Sequence, residues 1–157
     1  MIKLSGFLAH VILVITATLL FYAALTDLRE FKIRNDVVLI LACLYGLYAY
    51  ASGEWVNALS HVGLALAMFV VTLFFYACGW LGGGDVKILT VGFLWVGLRY
   101  ALPFSLLLMV FSVSHIVMAE KFAWVAIRRV DGHARIPFGP SVAAALVGIF
   151  VLKMIGF

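Results

Sequence analysis

Long apolar stretches alternate with short polar ones along almost the whole chain. The first, Phe7 to Leu25, holds nineteen residues and no Asp, Glu, Lys or Arg. At about 1.5 Å per helical residue it approaches the roughly 30 Å hydrocarbon core of a bilayer. Lys3 precedes it, as a lysine precedes the apolar region of a cleaved signal peptide, but the stretch is longer than such a region usually is. It therefore predicts a first membrane-spanning helix.

Five further apolar segments follow, each bounded by polar residues, glycine or proline. They cover Val37 to Ser52, Ala58 to Cys78, Val86 to Leu98, Ala101 to Ala119 and Pro140 to Phe157. The segment 86–98 rises only about 20 Å as a helix, so the polar residues just before it are expected below the membrane surface. The pattern predicts an all-α integral membrane protein with about six transmembrane helices in one domain, residues 1–157, and no soluble domain.

Composition excludes an ordinary soluble domain. Hydrophobic residues make up 66% of the 157 positions and charged residues only 11%, against roughly 45–50% and 25% in soluble domains. The net charge of +4 does not predict a nucleic-acid partner, because the basic residues concentrate in two short loops rather than on one helix face. Cys43 and Cys78 lie in apolar segments without CxxC spacing, so neither a zinc site nor a disulfide framework is expected.

The distribution of lysine and arginine predicts the orientation in the membrane. With the N-terminus outside, eight of the eleven basic residues fall on the cytoplasmic side, and Lys3, Arg99 and Lys153 fall outside. Cytoplasmic loops carry such an excess of positive charge. The two basic loops, 26–36 and 120–135, would then lie inside, the second partly along the membrane surface at Val125–Ile127.

An unusual polar stretch stands where the fourth apolar segment should begin: Gly82-Gly83-Gly84-Asp85-Val86-Lys87. An ionisable group at the membrane edge is costly and is a candidate functional residue. Three glycines suit a tight turn or the close approach of another part of the chain. The dipole of the following helix would favour the Asp85 anion, and Lys87 adds positive charge. By itself such a stretch is also typical of a plain loop.

A second carboxylate, Asp27, falls on the same predicted side. Alone it is also compatible with a solvated charge beside the membrane, neutralised by Arg29. Two carboxylates brought close together share a proton, since both cannot easily ionise. One then takes a proton from water while the other polarises a peptide carbonyl, and the sequence does not assign these roles. His61 is interpreted as a satisfied or interfacial histidine rather than a ligand. His115, with Ser112 and Ser114, is interpreted as bonding between helices, and lining of a polar cavity is the alternative.

Three stretches resemble the type IV prepilin peptidases, membrane aspartic proteases of the Gly-x-Gly-Asp class. Asp27 is followed by Lys32-Ile33-Arg34-Asn35, where the family has an Asp and then Ile-Pro-Asn. The glycine run with Asp85 and Lys87 fits the family's GGGD-x-K. Ile136-Pro137-Phe138-Gly139-Pro140-Ser141 is similar to the proline-glycine motif before its last helix. Arg34 departs from the pattern, because it replaces the usual proline.

The resemblance implies a role for each matching residue. Asp27 and Asp85 would be the catalytic pair. Lys87 would tune Asp85 or meet an acidic group of the substrate. The proline-glycine stretch would shape the cleft, although proline in a first helical turn also makes a rigid helix entry. The site-shaping residues implied are Gly82, Gly83, Gly84, Lys87, Asn35, Pro137, Gly139 and Pro140.

The family's long members also carry a cytoplasmic domain with a four-cysteine zinc motif and N-methylate the cleaved pilin. This chain resembles the short, peptidase-only branch of Flp or tight-adherence pili. The resemblance implies an endopeptidase of the bacterial inner membrane that needs no metal or cofactor and cuts prepilin or pseudopilin leaders at the cytoplasmic face, among membrane lipids. The oligomeric state stays open. The alternatives are an archaeal preflagellin peptidase, a small proton or ion transporter, and a non-enzymatic subunit of a membrane assembly.

Overall fold

The computed structural model describes residues 2–122, 128–130, 133–135 and 137–156, with side chains for 6–118 and 137–156. In chain order the elements are α1 (Ile2–Glu30), α2 (Asn35–Ser52), one 3₁₀ turn (Glu54–Asn57), α3 (Ala58–Ala77), α4 (Gly83–Phe122), the strands β1 (Arg128–Val130) and β2 (His133–Arg135), and α5 (Gly139–Met154). The two short strands pair antiparallel. The predicted surface segment Val125–Ile127 and the motif residue Ile136 lie outside the described residues.

In the described part of the chain, four helical stretches are long and apolar enough to cross a membrane. They are Gly6–Glu30, Asn35–Ser52, Glu54–Ala77 and Gly83–Met118. The last helix, α5, is equally apolar but has only 16 residues. The prediction of an all-α membrane protein is confirmed, and the count of about six spans is approximate. It differs from the count of long helices because α4 contains two of the predicted segments and α5 is short.

Gly97 divides α4 into two halves, 83–96 and 98–122. Its backbone (φ 62°, ψ −175°) lies in a region that is essentially reserved for glycine. The rings of Phe93 and Phe104 nevertheless meet, with centroids 5.2 Å apart, whereas eleven residues of unbroken helix would separate them by about 16 Å. The two halves therefore lie side by side, in agreement with the separate segments predicted around this position.

The break at Gly97 leaves carbonyl groups that lack their usual helical donors, because the regular i to i+4 pattern stops there. His61 Nδ1 lies 3.0 Å from the carbonyl oxygen of Leu94, and Lys153 Nζ donates to the carbonyl of Trp95 at 3.1 Å. A Cβ atom at Gly97 would overlap the His61 ring. His61 is thus a satisfied histidine, as its isolated position in the sequence predicted.

The core lies where α1, α2, α5 and the first half of α4 meet. Leu41, Trp95, Leu146 and Ile149 are fully buried there, and the Trp95 indole N–H donates to the Leu41 carbonyl at 3.0 Å. Many large side chains of α3 and of the second half of α4 are exposed, as expected for helices that face lipid. The packing brings the α1–α2 connection, the α3–α4 connection and the start of α5 to one end of the bundle.

Candidate active site

Asp27 lies one turn before the end of α1 and is buried, with 5% of its surface exposed. Its Oδ2 accepts a hydrogen bond of 2.8 Å from the backbone N–H of Gly139, the first residue of α5. The next residue, Pro140, has no N–H, and the Ser141 N–H donates to the carbonyl of Phe138. Gly139 therefore offers the free amide of this helix end, and the carboxylate lies at the positive end of the α5 dipole.

Asp85 also bonds to a backbone amide at a helix N-terminus, in this case that of its own helix. It lies in the first turn of α4 and is half-buried. Its Oδ2 accepts a hydrogen bond of 3.0 Å from the backbone N–H of Gly82, which is the back-reaching half of a capping box. Each candidate carboxylate is thus held by a backbone amide at a helix N-terminus, where negative charge is favoured.

Asp27 and Asp85 line the same cavity, which has a volume of about 770 Å³. All three sequence stretches singled out above contribute to it. Its wall includes Asn35, the glycine run, Lys87, and Pro137 with Phe138. The structure therefore brings together segments that lie up to 112 residues apart in the chain. A space of this size suits a short stretch of extended peptide.

The glycine run provides space for neighbouring side chains. A Cβ atom at Gly82 would lie 3.0 Å from Asp85 Oδ2, while at Gly83 and Gly84 it would meet Tyr76 and Ile33 at an ordinary 3.5 Å. None of the three has a positive φ; the left-handed residue of this turn is Gly79, at φ 77°. The contacts favour close approach, one of the two possibilities that the glycines left open in the sequence, most tightly at Gly82.

Lys87 connects two of the segments that form the cavity. Its Nζ donates to Asn35 Oδ1 at 2.8 Å, across 52 residues of sequence. Asn35 is the first residue of α2, so the contact fixes the start of α2 against the first turn of α4. The predicted roles of Lys87, tuning Asp85 or meeting an acidic group of the substrate, stay predictions.

Arg34 stands where the resemblance expects proline, and its backbone has a proline-like shape. Its φ and ψ are −72° and 140°, within the range that proline allows. The guanidinium donates to both oxygens of Asp36, at 3.1 and 2.7 Å. These hydrogen bonds raise the pKa of Arg34 above its usual value. The loop therefore has the conformation that proline would impose, and the ion pair replaces the ring as a local restraint.

We expect Arg34→Pro to change the free energy of unfolding by no more than about 0.5 kcal/mol. The exposed ion pair contributes little, and proline offsets its loss by restricting the unfolded chain. In the described part of the chain no acceptor receives the Arg34 N–H, so its removal costs no hydrogen bond. Thermal unfolding in detergent measures the change. A loss of more than about 2 kcal/mol would show that the loop depends on the arginine.

His115 lies close to this site, and the sequence indicated two roles for it, bonding between helices or lining a polar cavity. Its Nδ1 lies 3.4 Å from the Ser141 hydroxyl, which confirms the predicted contact between helices. It also interacts electrostatically with Asp27. One turn earlier on α4, the Ser112 hydroxyl is buried without a hydrogen-bond partner in the described structure. The sequence signal for this polar cluster was that Ser112 and His115 lie three positions apart within an apolar segment.

Other residues of the cavity wall were not predicted. Phe31, Trp80 and Asp36 line it together with the carboxylates. Phe31 ends α1 with a left-handed backbone (φ 52°), a conformation rare for a bulky residue. Trp80 is 77% exposed. The sequence signal that could have identified them was their closeness in the chain to Asp27 or Asp85. Within the described residues, no group of three His, Cys, Asp or Glu side chains is placed to hold a metal ion.

Comparison with known proteins gives one family. The model of the type IV leader peptidase family matches residues 14–118, about two thirds of the chain. The match includes Asp27, the glycine run and Asp85, and it ends before the proline-glycine stretch. No curated protein and no solved structure matches the chain.

Proposed function

The chain belongs to the type IV leader peptidase family, and from this premise we propose that it is an aspartic endopeptidase with Asp27 and Asp85 as its catalytic pair. Its substrates are Flp-like prepilins, whose leader peptides it removes at the cytoplasmic face of the inner membrane. It has no N-methyltransferase activity. The observation that carries this proposal is that the two carboxylates line one cavity, although 58 residues separate them in the sequence.

The proposed chemistry uses only the two carboxylates and water. The ionised carboxylate removes a proton from water, and the water oxygen forms a bond to the scissile carbonyl carbon. The protonated carboxylate donates a hydrogen bond to the carbonyl oxygen, which stabilises the tetrahedral intermediate. When the C–N bond breaks, the departing amine takes a proton from the pair. The products are a free carboxyl group and a free amine, so atoms and charges balance.

The position of the cavity supports a substrate that is cut at the membrane boundary. The wall combines apolar side chains, Phe31, Trp80 and Phe138, with carboxylates. A prepilin presents a positively charged leader followed by an apolar helix. The wall also contains Lys32, Arg34 and Lys87, so its overall charge does not select the leader. The support comes from the exposed apolar side chains, which suit the start of the apolar helix. The cavity lies at the ends of membrane-spanning helices, where such a junction would arrive.

The test is cleavage of a co-expressed Flp-type prepilin by the wild-type protein. We expect a shift on a gel and, by mass spectrometry, a mature pilin with one new, unmethylated N-terminus. Cleavage by the purified protein in detergent should persist with a chelator, because no step uses a metal. Methylated product would contradict the absence of methyltransferase activity. If no prepilin or preflagellin offered is cleaved, the peptidase proposal fails, and ion flux into vesicles becomes the next measurement.

A further inference from the structure

A second cavity lies at the opposite end of the bundle. Its volume is about 280 Å³, and its polar lining consists of Glu54, Asn57, Ser60, His61, Arg99, Tyr100 and Lys153. Helix α2 begins at the catalytic cavity, with Asn35, and ends just before Glu54. Its 18 residues span about 27 Å, which is close to the thickness of the hydrocarbon core. The second cavity therefore lies at the other membrane face, at the depth of the lipid headgroups.

Lys153 is held in place by the broken helix. Its side chain is only 4% exposed. Besides the Trp95 carbonyl, its ammonium lies 3.7 Å from Glu54 Oε2 and about 5 Å from the ring centroids of Tyr48 and Tyr100, at 5.1 and 5.3 Å. Glu54 therefore balances the charge of Lys153, and the aromatic faces add further stabilisation.

Arg99 is the second cation of this cavity, and its charge has no such balance. Its guanidinium carbon lies 5.3 Å from the centroid of the Tyr100 ring. Among the described residues, no carboxylate lies within ion-pair distance of it. With Arg99, Lys153 and Glu54 together, the cavity carries one excess positive charge. An arginine at headgroup depth without a carboxylate partner is a suitable contact for an external anion.

The polar groups beside Arg99 suit an anion with several oxygens. Asn57 precedes α3 and lines the cavity; its side chain does not cap that helix, so its amide group can donate to an anion. The Ser60 hydroxyl, also in the lining, already donates to the Asn57 carbonyl at 2.7 Å. The planar guanidinium matches the geometry of phosphate oxygens. Trp55, 65% exposed, is an aromatic residue of the kind found at the membrane–water interface. The anion present at this depth in every bacterial membrane is the phosphate of a phospholipid.

We propose that the second cavity binds the phosphate group of an anionic phospholipid, with Arg99 as the direct contact and Lys153 as a supporting positive charge. The lipid would occupy the space between the 3₁₀ turn, the break at Gly97 and the end of α5. It would thereby connect the three segments that end at this face. The proposal does not depend on peptidase activity, because its residues lie at the other end of the helices from Asp27 and Asp85.

Native mass spectrometry of the purified protein in a maltoside detergent tests this proposal. Phosphatidylglycerol is titrated against wild type, Arg99→Gln and Arg29→Gln, and phosphatidylcholine and inorganic phosphate serve as further probes. We expect Arg99→Gln to weaken phosphatidylglycerol binding about tenfold. Arg29→Gln removes one exposed cation far from the second cavity and should bind the lipid as wild type does. Phosphatidylcholine should bind more weakly than phosphatidylglycerol, because its headgroup is neutral overall.

Several results would overturn the proposal. Equal phosphatidylglycerol affinity in wild type and Arg99→Gln would show that Arg99 is not the contact. Equal binding of phosphatidylglycerol and phosphatidylcholine would show that the excess positive charge does not select an anionic lipid. If inorganic phosphate displaced the lipid at a similar concentration, the site would be one for soluble phosphate, and the lipid assignment would be wrong. The variant Asp85→Asn should bind phosphatidylglycerol normally, which separates this outcome from any failure of the peptidase proposal.

Discussion

Asp27→Asn and Asp85→Asn should each lower the rate of leader cleavage by at least about 10³-fold. Each substitution removes one of the two carboxyl groups that transfer protons in the proposed reaction. Asparagine has nearly the shape of aspartate, but it neither accepts a proton from water at neutral pH nor donates a carboxylic proton. Purified variants in detergent are compared with wild type on a prepilin peptide that spans the leader junction. Mass spectrometry measures the initial rate at which the product with the new N-terminus appears.

The geometry indicates that these substitutions preserve the fold. The hydrogen bonds from Gly139 and Gly82 end on carboxylate oxygens, and an asparagine side-chain oxygen can accept the same bonds. Thermal unfolding should therefore change far less than activity does. Glu30→Gln is the matched control, since this exposed carboxylate lies three residues from Asp27 and does not line the cavity.

Two results would contradict the catalytic pair. Cleavage at a tenth or more of the wild-type rate in either variant would mean that this carboxylate is not part of the chemistry. Loss of cleavage in Glu30→Gln as well would indicate a general dependence on charge near the membrane. The double variant should be no slower than the slower single variant, because residues that act as a unit are not additive.

The sequence was sufficient to predict an all-α membrane protein and most of its apolar helices, because that signal is local. The apolar segments 86–98 and 101–119, separated at Arg99, indicated two segments where the structure has one interrupted helix, α4. Composition excluded an ordinary soluble domain, and the lengths of the apolar segments indicated helices. The hydrophobic pattern does not depend on which helix packs against which. Predictions of helix positions were therefore more reliable than those of side-chain contacts.

Contacts between distant segments could not be predicted from local patterns. The hydrogen bond from the Gly139 amide to Asp27 depends on how α1 packs against α5. No rule of sequence spacing connects residues that are 112 positions apart. The same applies to Lys87 with Asn35 and to His115 beside Ser141. The glycine run indicated either a tight turn or a close approach, and only the packing shows that Gly82 leaves room for the Asp85 side chain. Side-chain crowding of this kind is a tertiary property.

Within the candidate active site the crowding is greatest at Gly139, and Gly139→Ala is expected to lower the rate of leader cleavage about 10²-fold. A Cβ atom there would lie 2.8 Å from Asp27 Oδ2 and 3.0 Å from Asp27 Cβ. Such distances force a shift, and the side chain of Asp27 is the contact that has to move. A displacement of about 1 Å in a catalytic group costs roughly this factor. The helix itself should tolerate alanine, which has the highest helix propensity.

Gly83→Ala provides the matched control for Gly139→Ala, because it adds the same methyl group at another glycine of the same region. Its Cβ would meet Tyr76 at an ordinary 3.5 Å, so cleavage should stay within about threefold of wild type. The two variants are compared in the same rate assay, together with their thermal unfolding. Equal rates would show that Asp27 accommodates the methyl group without leaving its catalytic position. A loss confined to Gly139→Ala, with unfolding little changed, would show that the α5 N-terminus positions Asp27 for catalysis.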